Sequence, residues 1–211
     1  MTEAREITEI APDVYDITVK VADDARWRVF LFDGETPTLV DAGFEDTVDV
    51  VAAAAEELGI TPERVVITHS DPDHVGGLAG HVARFDLETW VPEGVGVDVD
   101  VDHCFGDGDH VGPFTAVSVA GHATGHHSLV DESRGIAVIG DALFGSDARG
   151  LPAGYFVLPT AYYSEDLATA DAELSNLLEY DFDVGLVFHG SSVTEDASEK
   201  IAAFVDFAGK R

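Results

Sequence analysis

Metal-binding side chains crowd into one stretch of the sequence, Thr68-His69-Ser70-Asp71-Pro72-Asp73-His74-Val75-Gly76-Gly77. The stretch follows the apolar run Val65-Val66-Ile67, which is typical of a buried strand. On an extended strand end alternate residues point the same way, so His69, Asp71 and Asp73 are expected on one side. His74 then follows where a helix starts. Imidazoles mixed with carboxylates predict a metal site for zinc, iron or manganese, whereas an oxygen-only set would suit calcium or magnesium.

Four further motifs place histidine or aspartate at the ends of apolar segments. In chain order they are Leu39-Val40-Asp41-Ala42-Gly43, Gly121-His122-Ala123-Thr124-Gly125-His126, Val138-Ile139-Gly140-Asp141 and Val187-Phe188-His189-Gly190. Histidine is scarce in this chain, with nine in all. Its repeated occurrence at strand ends therefore carries more weight than the occurrence of the abundant aspartates.

Taken in order, the five motifs resemble the signature of the metallo-β-lactamase superfamily. That signature is His-x-His-x-Asp-His followed by x-Gly-Gly, and the later Gly-His, Gly-Asp and His-Gly motifs also match. One position departs from it, because Asp71 stands where the family usually has its second histidine. The five matching motifs extend over residues 39–190 and cover most of the chain.

The resemblance implies a metal ligand for each motif. One ion would be held by His69, Asp71 and His122, and the second by Asp73, His74 and His189, with Asp141 bridging the two. Two zinc ions are expected, and the harder oxygen ligand Asp71 leaves iron or manganese open. Asp73 would also orient the hydroxide shared by the ions, while Asp41 would support the ligands from behind. Asp73 and Asp41 are therefore the expected catalytic residues, and no substrate-binding residue is assigned.

The function implied by the resemblance is a dinuclear metal-dependent hydrolase, similar to the catalytic domain of glyoxalase II. A metal-bridging hydroxide would attack an ester, thioester or lactone of a small molecule. One alternative is an iron-dependent redox enzyme on the same fold, because flavodiiron proteins carry a carboxylate at the position of Asp71 and persulfide dioxygenases use one iron. The other alternative is a metal-binding protein without catalysis.

The family's fold is α+β, a four-layer αβ/βα sandwich of two facing sheets with helices outside. The sequence has no linker or composition break, so we expect one domain over residues 1–211. The helical substrate domain of hydroxyacylglutathione hydrolases and the flavodoxin domain of flavodiiron proteins are not expected, because the motifs match the catalytic domain alone.

The composition is strongly acidic, with a formal net charge of −30 and a pI of about 4.2. The charge is spread along the chain and interrupted by apolar residues, unlike a disordered acidic tail. Lysine is nearly absent, at positions 20, 200 and 210. This pattern resembles proteins of extreme halophiles, so an origin in a halophilic archaeon is expected. It argues against binding of nucleic acid, which needs a basic surface.

Two observations bear on the compartment. The N-terminus, Met1-Thr2-Glu3-Ala4-Arg5-Glu6, is charged and has no apolar segment behind it, and no apolar run reaches membrane length. The single cysteine, Cys104, is interpreted as a small packed side chain and fits a reducing interior. A cytoplasmic protein that acts on a small molecule, without a membrane partner, is expected.

Local patterns give further expectations. Asp41 should end the third strand of an antiparallel sheet. A helix should run from Asp46 to Leu58 and stop at Gly59. A second helix should run from His74 to about Phe85 and leave His81 at the surface. The acidic segment 97–109 lacks the glycine of a calcium loop and is interpreted as a solvated strand and a turn. Ser164 and Thr194 are expected to cap the last two helices, with Ala208 facing inward.

The segment Leu143–Tyr163 is rich in aromatic residues but has no clear periodicity. A pocket wall, a contact in a homodimer and plain core are all compatible with this composition. Arg149 is the one basic residue of this segment and the one that stands out for an anionic substrate.

Overall fold

The computed structural model describes residues 6–22 and 25–207. The expectations for residues 1–5 and for Ala208 lie outside these ranges. The chain divides into two compact units, Met1–Phe105 and Gly106–Arg211. Strands and helices are mixed in both units, as the α+β class requires. The single domain over residues 1–211 stays a prediction.

The first unit is built on a seven-stranded sheet whose spatial order is the chain order. The strands are β1 (Glu6–Ala11), β2 (Val14–Ala22), β3 (Ala25–Phe32), β4 (Thr38–Val40), β5 (Arg64–Val66), β6 (Glu88–Pro92) and β7 (His103–Phe105). Pairing is antiparallel from β1 to β4 and parallel from β4 to β7. Asp41 therefore follows the fourth strand and not the third, because the short β1 was not predicted.

Three helices accompany this sheet, α1 (Val48–Leu58), α2 (Pro72–Val75) and α3 (Leu78–Phe85). Apolar residues of one sheet face, among them Ile17, Val29 and Leu31, pack with Val51 of α1 and Leu78 of α3 in one core. Gly59 ends α1 in the left-handed conformation with φ of 70°, which confirms the predicted stop.

The prediction of one helix from His74 to about Phe85 is wrong, because the helical segment begins earlier, at Pro72, and is interrupted. It consists of α2 and α3, separated at Gly76 and Gly77. A Cβ on Gly76 would overlap the carbonyl oxygen of Pro72, and one on Gly77 would overlap that of Ala42. The backbone of Gly77 instead donates to Gly43 at 2.9 Å. This close approach, which needs glycine, breaks the helix.

The second unit contains a five-stranded sheet of order β14-β11-β10-β9-β8. Its strands are β8 (His110–Val111), β9 (Phe114–Ser118), β10 (His127–Asp131), β11 (Ile136–Gly140) and β14 (Val184–Val187), and a separate hairpin joins β12 (Phe144–Gly145) to β13 (Phe156–Val157). The edge strand β14 pairs with β11 in parallel. This unit also contains helices α4 (Leu167–Glu173) and α5 (Ala197–Val205) and the 3₁₀ helices Ser146–Arg149 and Leu174–Glu179. Ile139, Leu174 and Ile201 meet in its core.

Both predicted helix caps in the second unit are wrong by two residues. Asp166, not Ser164, caps α4 by accepting hydrogen bonds from the amides of Ala168 and Thr169. The hydroxyl of Thr169 also donates to Asp166, and these hydrogen bonds lower the pKa of the carboxyl. Asp196, not Thr194, precedes α5, and its own amide donates to Asp183 at 2.7 Å.

The interpretation of Cys104 as a packed side chain is wrong. Cys104 is exposed, because β7 is the edge strand of its sheet. The solvated strand predicted within residues 97–109 is shorter than expected, because β7 covers only His103–Phe105 and residues 97–102 are not in a strand, while the predicted turn follows at residues 107–108. Asp102 instead accepts hydrogen bonds from the amide and hydroxyl of Thr89, which lower the pKa of its carboxyl. His103 stacks on Trp90 with 4.2 Å between the ring centroids.

The prediction that His81 lies at the surface is wrong as well. His81 is fully buried and its Nε2 lies 3.0 Å from the carbonyl oxygen of Ala42, to which it donates. It follows Leu78 by three residues and so falls on the same buried face of α3. Burial lowers the pKa of His81 from 6.5 to about 4.

Among residues 6–22 and 25–207, no helix combines the length and the apolar character needed to span a bilayer.

The depressed pKa of His81 makes folding stability depend on pH. The pKa of His81 is about 4 in the folded chain, whereas its ordinary value is 6.5. Between these two pH values the unfolded chain binds a proton at His81 and the folded chain does not. The stabilisation is complete above pH 6.5 and is lost as the pH falls to about 4, by an amount on the order of 3 kcal/mol. Urea unfolding at pH 7 and pH 4.5 measures this loss.

The matched variant is His81→Gln, because glutamine can still donate to Ala42 but does not titrate. Its stability should fall less than that of the wild type between the two pH values. An equal fall in both proteins would contradict the assignment of the titration to His81.

Candidate metal centre

The parallel pair β4 and β5 brings the acidic and histidine motifs of the first unit together. The carboxyl ends of parallel strands lie at the same edge of a sheet, and Val40 pairs with Val66 there. Asp41 follows β4, while Thr68 and His69 lie two and three residues beyond the end of β5. The amide of Asp41 donates to Val66 at 2.8 Å, so the two chain segments remain paired beyond the strands.

The carboxylate of Asp41 is fully buried and accepts three hydrogen bonds. The donors are the Thr68 amide, the Thr68 hydroxyl and His74 Nδ1, each at 2.7 Å. Asp41 itself adopts the left-handed conformation with φ of 61°, which aspartate tolerates better than most residues. A ligand atom of Asp41 lies within 4.8 Å of ligand atoms of His69 and His74, as a metal ligand would. Because its oxygens already accept hydrogen bonds from the protein, we assign Asp41 the role of supporting the ligands and not of binding the ion.

These hydrogen bonds fix the tautomers of both histidines. His74 Nδ1 donates to Asp41, which leaves Nε2 as its electron-pair donor. The Thr68 hydroxyl has one proton and gives it to Asp41, so it accepts from His69 Nδ1 at 2.9 Å. His69 consequently also presents Nε2. A neutral imidazole whose second nitrogen is held by such a partner is the form that binds a metal ion.

Asp71 and Asp73 lie beside these nitrogens. One oxygen of Asp71 lies 3.7 Å from His69 Nε2, and one oxygen of Asp73 lies 3.6 Å from His74 Nε2. Asp71 is the extended residue before α2, whereas Asp73 and His74 are helical. The expectation that Asp73 continues an extended strand end is thus wrong, because Pro72 starts the helix one residue earlier.

The second unit has its own histidine and aspartate set. Asp141 follows β11 and His189 lies two residues beyond β14, at the shared carboxyl edge of this parallel pair. One carboxylate oxygen of Asp141 lies 3.1 Å from His189 Nε2 and 3.6 Å from His122 Nε2. Two imidazole nitrogens therefore converge on one buried carboxylate.

Gly121 and His126 position this set. Gly121 adopts φ of 111° immediately before His122, and a Cβ there would overlap the Ala170 backbone. The buried His126 accepts a hydrogen bond from the Asp141 amide at 2.9 Å through Nε2. His126 thus holds the backbone next to the carboxylate.

Phe144 provides an apolar wall beside the histidines of the second unit. Its ring centroid lies 4.6 Å from that of His189 and 6.4 Å from that of His122. The guanidinium carbon of the exposed Arg149 lies 5.9 Å from the centroid of the Phe144 ring. Farther along the same segment the tyrosines at positions 155, 162 and 163 are exposed, so this part of the aromatic segment is not core.

Sequence reasoning assigned no role to Thr68, Asp147 or Ser191. Thr68 could have been found, because a hydroxyl directly before a histidine and near a buried aspartate can link the two. Asp147 carries no such signal, since its partner Ser191 is 44 residues away. The donor sets in each unit, imidazole nitrogens beside carboxylates, fit a divalent transition metal ion.

The Asp41 carboxylate should be indispensable to the first unit. In Asp41→Asn the amide NH₂ would face the donors of Thr68 and His74, so we expect a loss of about 2 kcal/mol of unfolding free energy and about 10-fold or more in zinc affinity. Urea unfolding and competition with a chromophoric chelator measure these effects.

Asp86→Asn is the matched control, because Asp86 is also left-handed, with φ of 56°, but is exposed. If both variants lose the same stability and the same zinc affinity, the support role of Asp41 is wrong.

Comparison with known proteins gives consistent results. A model of the metallo-β-lactamase superfamily matches residues 27–99. A hydroxyacylglutathione hydrolase from Xanthomonas euvesicatoria pv. vesicatoria is 32% identical over 127 residues, which are 58% of this chain and 47% of the relative. The chain thus spans about half the length of this curated relative.

Solved structures match over nearly the whole chain. A metallo-β-lactamase from Pontibacter korlensis superposes with a TM-score of 0.75 at 17% identity, covering 99% of this chain and all of the other. The protein TTHA1623, crystallised in a di-iron-bound form, superposes with a TM-score of 0.66 at 22% identity. This match covers 84% of the present chain and 93% of TTHA1623. The predicted α+β metallo-β-lactamase fold is confirmed. The family model matches about a third of the chain, and the structural neighbours show that the fold is that of metallo-β-lactamases.

Proposed function

We propose that the protein is a metal-dependent hydrolase of a small-molecule thioester, ester or lactone, acting with two divalent metal ions. The observation that carries the proposal is the hydrogen-bonded state of His69 and His74. Both rings donate through Nδ1 within the protein and keep Nε2 for a metal ion. Histidines held in this way beside carboxylates are prepared for metal binding before any ion arrives.

We assign the ligands as the family resemblance implies. His69, Asp71 and His122 would hold one ion, Asp73, His74 and His189 would hold the other, and Asp141 would bridge. Each unit supplies part of this set, and the grouping of its own histidines and carboxylates supports the assignment. Zinc is the proposed metal, because four of the seven ligands are imidazoles.

When bound, such ions supply a nucleophilic water at neutral pH and polarise a substrate carbonyl. The side chains of this chain would do the rest. Asp73, whose side chain is 17% exposed, orients the attacking water. Asp41 and Thr68 keep the histidine rings in place. Phe144 excludes solvent from one side of His189.

A thioester is the preferred substrate class within this proposal. The support is the curated relative named hydroxyacylglutathione hydrolase, which is a thioester hydrolase. The chain matches about half of that relative, so the acyl group and the thiol partner are left open. Arg149, exposed beside Phe144, offers a cation for an anionic substrate.

The second candidate function is redox chemistry at iron. Two observations favour it over the remaining alternative of a non-catalytic metal-binding protein. Asp71 offers an oxygen ligand, which suits iron or manganese better than a third histidine would. The structurally similar TTHA1623 was crystallised in a di-iron-bound form.

We further propose that the protein works at high salt in a reducing cytoplasm. A net charge of −30 and the scarcity of lysine support the first part. The single exposed thiol of Cys104, which would oxidise readily elsewhere, supports the second.

Replacement of His122, Asp141 or His189 by alanine should lower the metal content by about one ion per chain. It should also lower the stability of the metal-loaded protein by about 2–4 kcal/mol, because the energy of metal binding contributes to folding stability. Elemental analysis and urea unfolding with and without a chelator measure both effects.

The controls are His103→Ala and His110→Ala, because both histidines are exposed. They should leave the metal content unchanged. Equal losses in the controls and in the ligand variants would show that the ligand assignment is wrong.

Salt should raise the melting temperature. At a net charge of −30 the carboxylates repel one another in the folded state, and molar KCl reduces the Debye length to about 3 Å. Thermal unfolding between about 0.05 M and 3 M KCl should show a continuous increase. A melting temperature independent of KCl would contradict the adaptation to salt.

A further inference from the structure

The turn that carries His189 is fastened to an aspartate that no metal assignment uses. Asp147 accepts hydrogen bonds from both the amide and the hydroxyl of Ser191, each at 2.7 Å. Ser191 lies two residues after His189. The amide of Gly145 also donates to the His189 carbonyl at 2.8 Å. Three hydrogen bonds therefore connect residues 145–147 to residues 189–191.

The two segments are in direct backbone contact. Gly190 has φ of 76°, and a Cβ there would lie 2.8 Å from Gly145 Cα and 2.9 Å from Asp147 Oδ1. A Cβ on Gly145 would overlap the backbone of Ser191. Both glycines are needed for this approach, and the approach brings the Asp147 carboxylate within reach of Ser191.

His189 needs such an anchor more than the other histidines do. Its side chain is 18% exposed, whereas those of His74 and His122 are 1% exposed. Packing holds the two buried rings, but it restrains His189 less. Its ring lies beside the Phe144 ring and the Asp141 carboxylate. The position of the His189 backbone therefore contributes to the position of its partly exposed ring.

We propose that Asp147 is a positioning residue for His189, fixing the turn of residues 189–191 so that the imidazole is preordered for the second metal ion. The inference rests on the proposed function, in which His189 is a ligand. Asp147 acts through the backbone and the Ser191 hydroxyl and does not touch the ion. Asp41 has the corresponding role in the first unit, where it likewise accepts one hydrogen bond from the Thr68 amide and one from the Thr68 hydroxyl.

The variants separate geometry from charge. In Asp147→Asn the amide oxygen can still accept from the Ser191 amide, and the NH₂ group can donate to the Ser191 hydroxyl oxygen, so the turn is kept. In Asp147→Leu both hydrogen bonds are lost. Asp183→Leu is the matched control, because Asp183 also accepts a backbone hydrogen bond in this unit, from the Asp196 amide, and precedes β14, whereas His189 follows the opposite end of that strand.

The experiment is a zinc titration of the metal-free protein, followed by competition with a chromophoric chelator. The wild type should bind two zinc ions. Asp147→Leu should weaken one of the two by about 10–100-fold and leave the other within about threefold, as expected for loss of a residue that orients a ligand. Asp147→Asn should retain both affinities within about threefold, and Asp183→Leu should behave like the wild type.

Several results would overturn the proposal. They are equal weakening of both sites by Asp147→Leu, equal loss in Asp147→Asn and Asp147→Leu, and two unchanged affinities in Asp147→Leu. If the wild type itself binds no zinc or other divalent transition metal, the proposed function fails and not the role of Asp147 alone. Melting temperatures of the metal-free variants, compared with that of Asp183→Leu, show whether a loss of affinity is only a loss of folding.

Discussion

The hydrogen bonding of the buried Asp41 carboxylate is the interaction on which the candidate metal centre of the first unit depends. An ionised group removed from water is costly unless it is fully hydrogen-bonded, and Asp41 meets this condition with two donors from Thr68 and one from His74. The same three bonds orient His74 directly and His69 through the Thr68 hydroxyl. One aspartate thus sets two ligand tautomers, and the loop between β5 and α2 cannot move without breaking its bonds.

The two units reach similar solutions with different parts. In both, a parallel strand pair, β4 with β5 and β11 with β14, places ligands at a common edge of the sheet. In both, an aspartate accepts hydrogen bonds from the amide and the hydroxyl of one residue close to a histidine. Thr68 precedes His69 directly, and Ser191 follows His189 by two residues. Such anchoring lowers the ordering cost of metal binding, because the ligands lose little freedom when the ion enters. Glycines at the contacts, such as Gly77 and Gly190, allow the backbones to approach.

Much of the fold could be predicted because strand ends and histidines coincide in the sequence, as at His69 and His189. The errors arose where tertiary packing overrides local signals. His81 was expected at the surface because it is polar, but it lies on the buried face of α3 and donates to Ala42. Cys104 was expected to pack in the interior, but it lies on an edge strand. Long-range pairs such as Asp147 with Ser191 leave no local pattern at all. The substrate is equally hidden, because the exposed Arg149 and its neighbouring tyrosines give a charge and a surface but no shape.

Metal analysis joined to an activity assay tests the central claim most directly. The protein should be purified in molar KCl without added metal or chelator, analysed for zinc, iron and manganese, and assayed with a hydroxyacylglutathione thioester while oxygen is monitored. The account predicts about two zinc ions per chain and release of the thiol without oxygen uptake. Tightly bound iron with oxygen consumption and no thioester hydrolysis would contradict it.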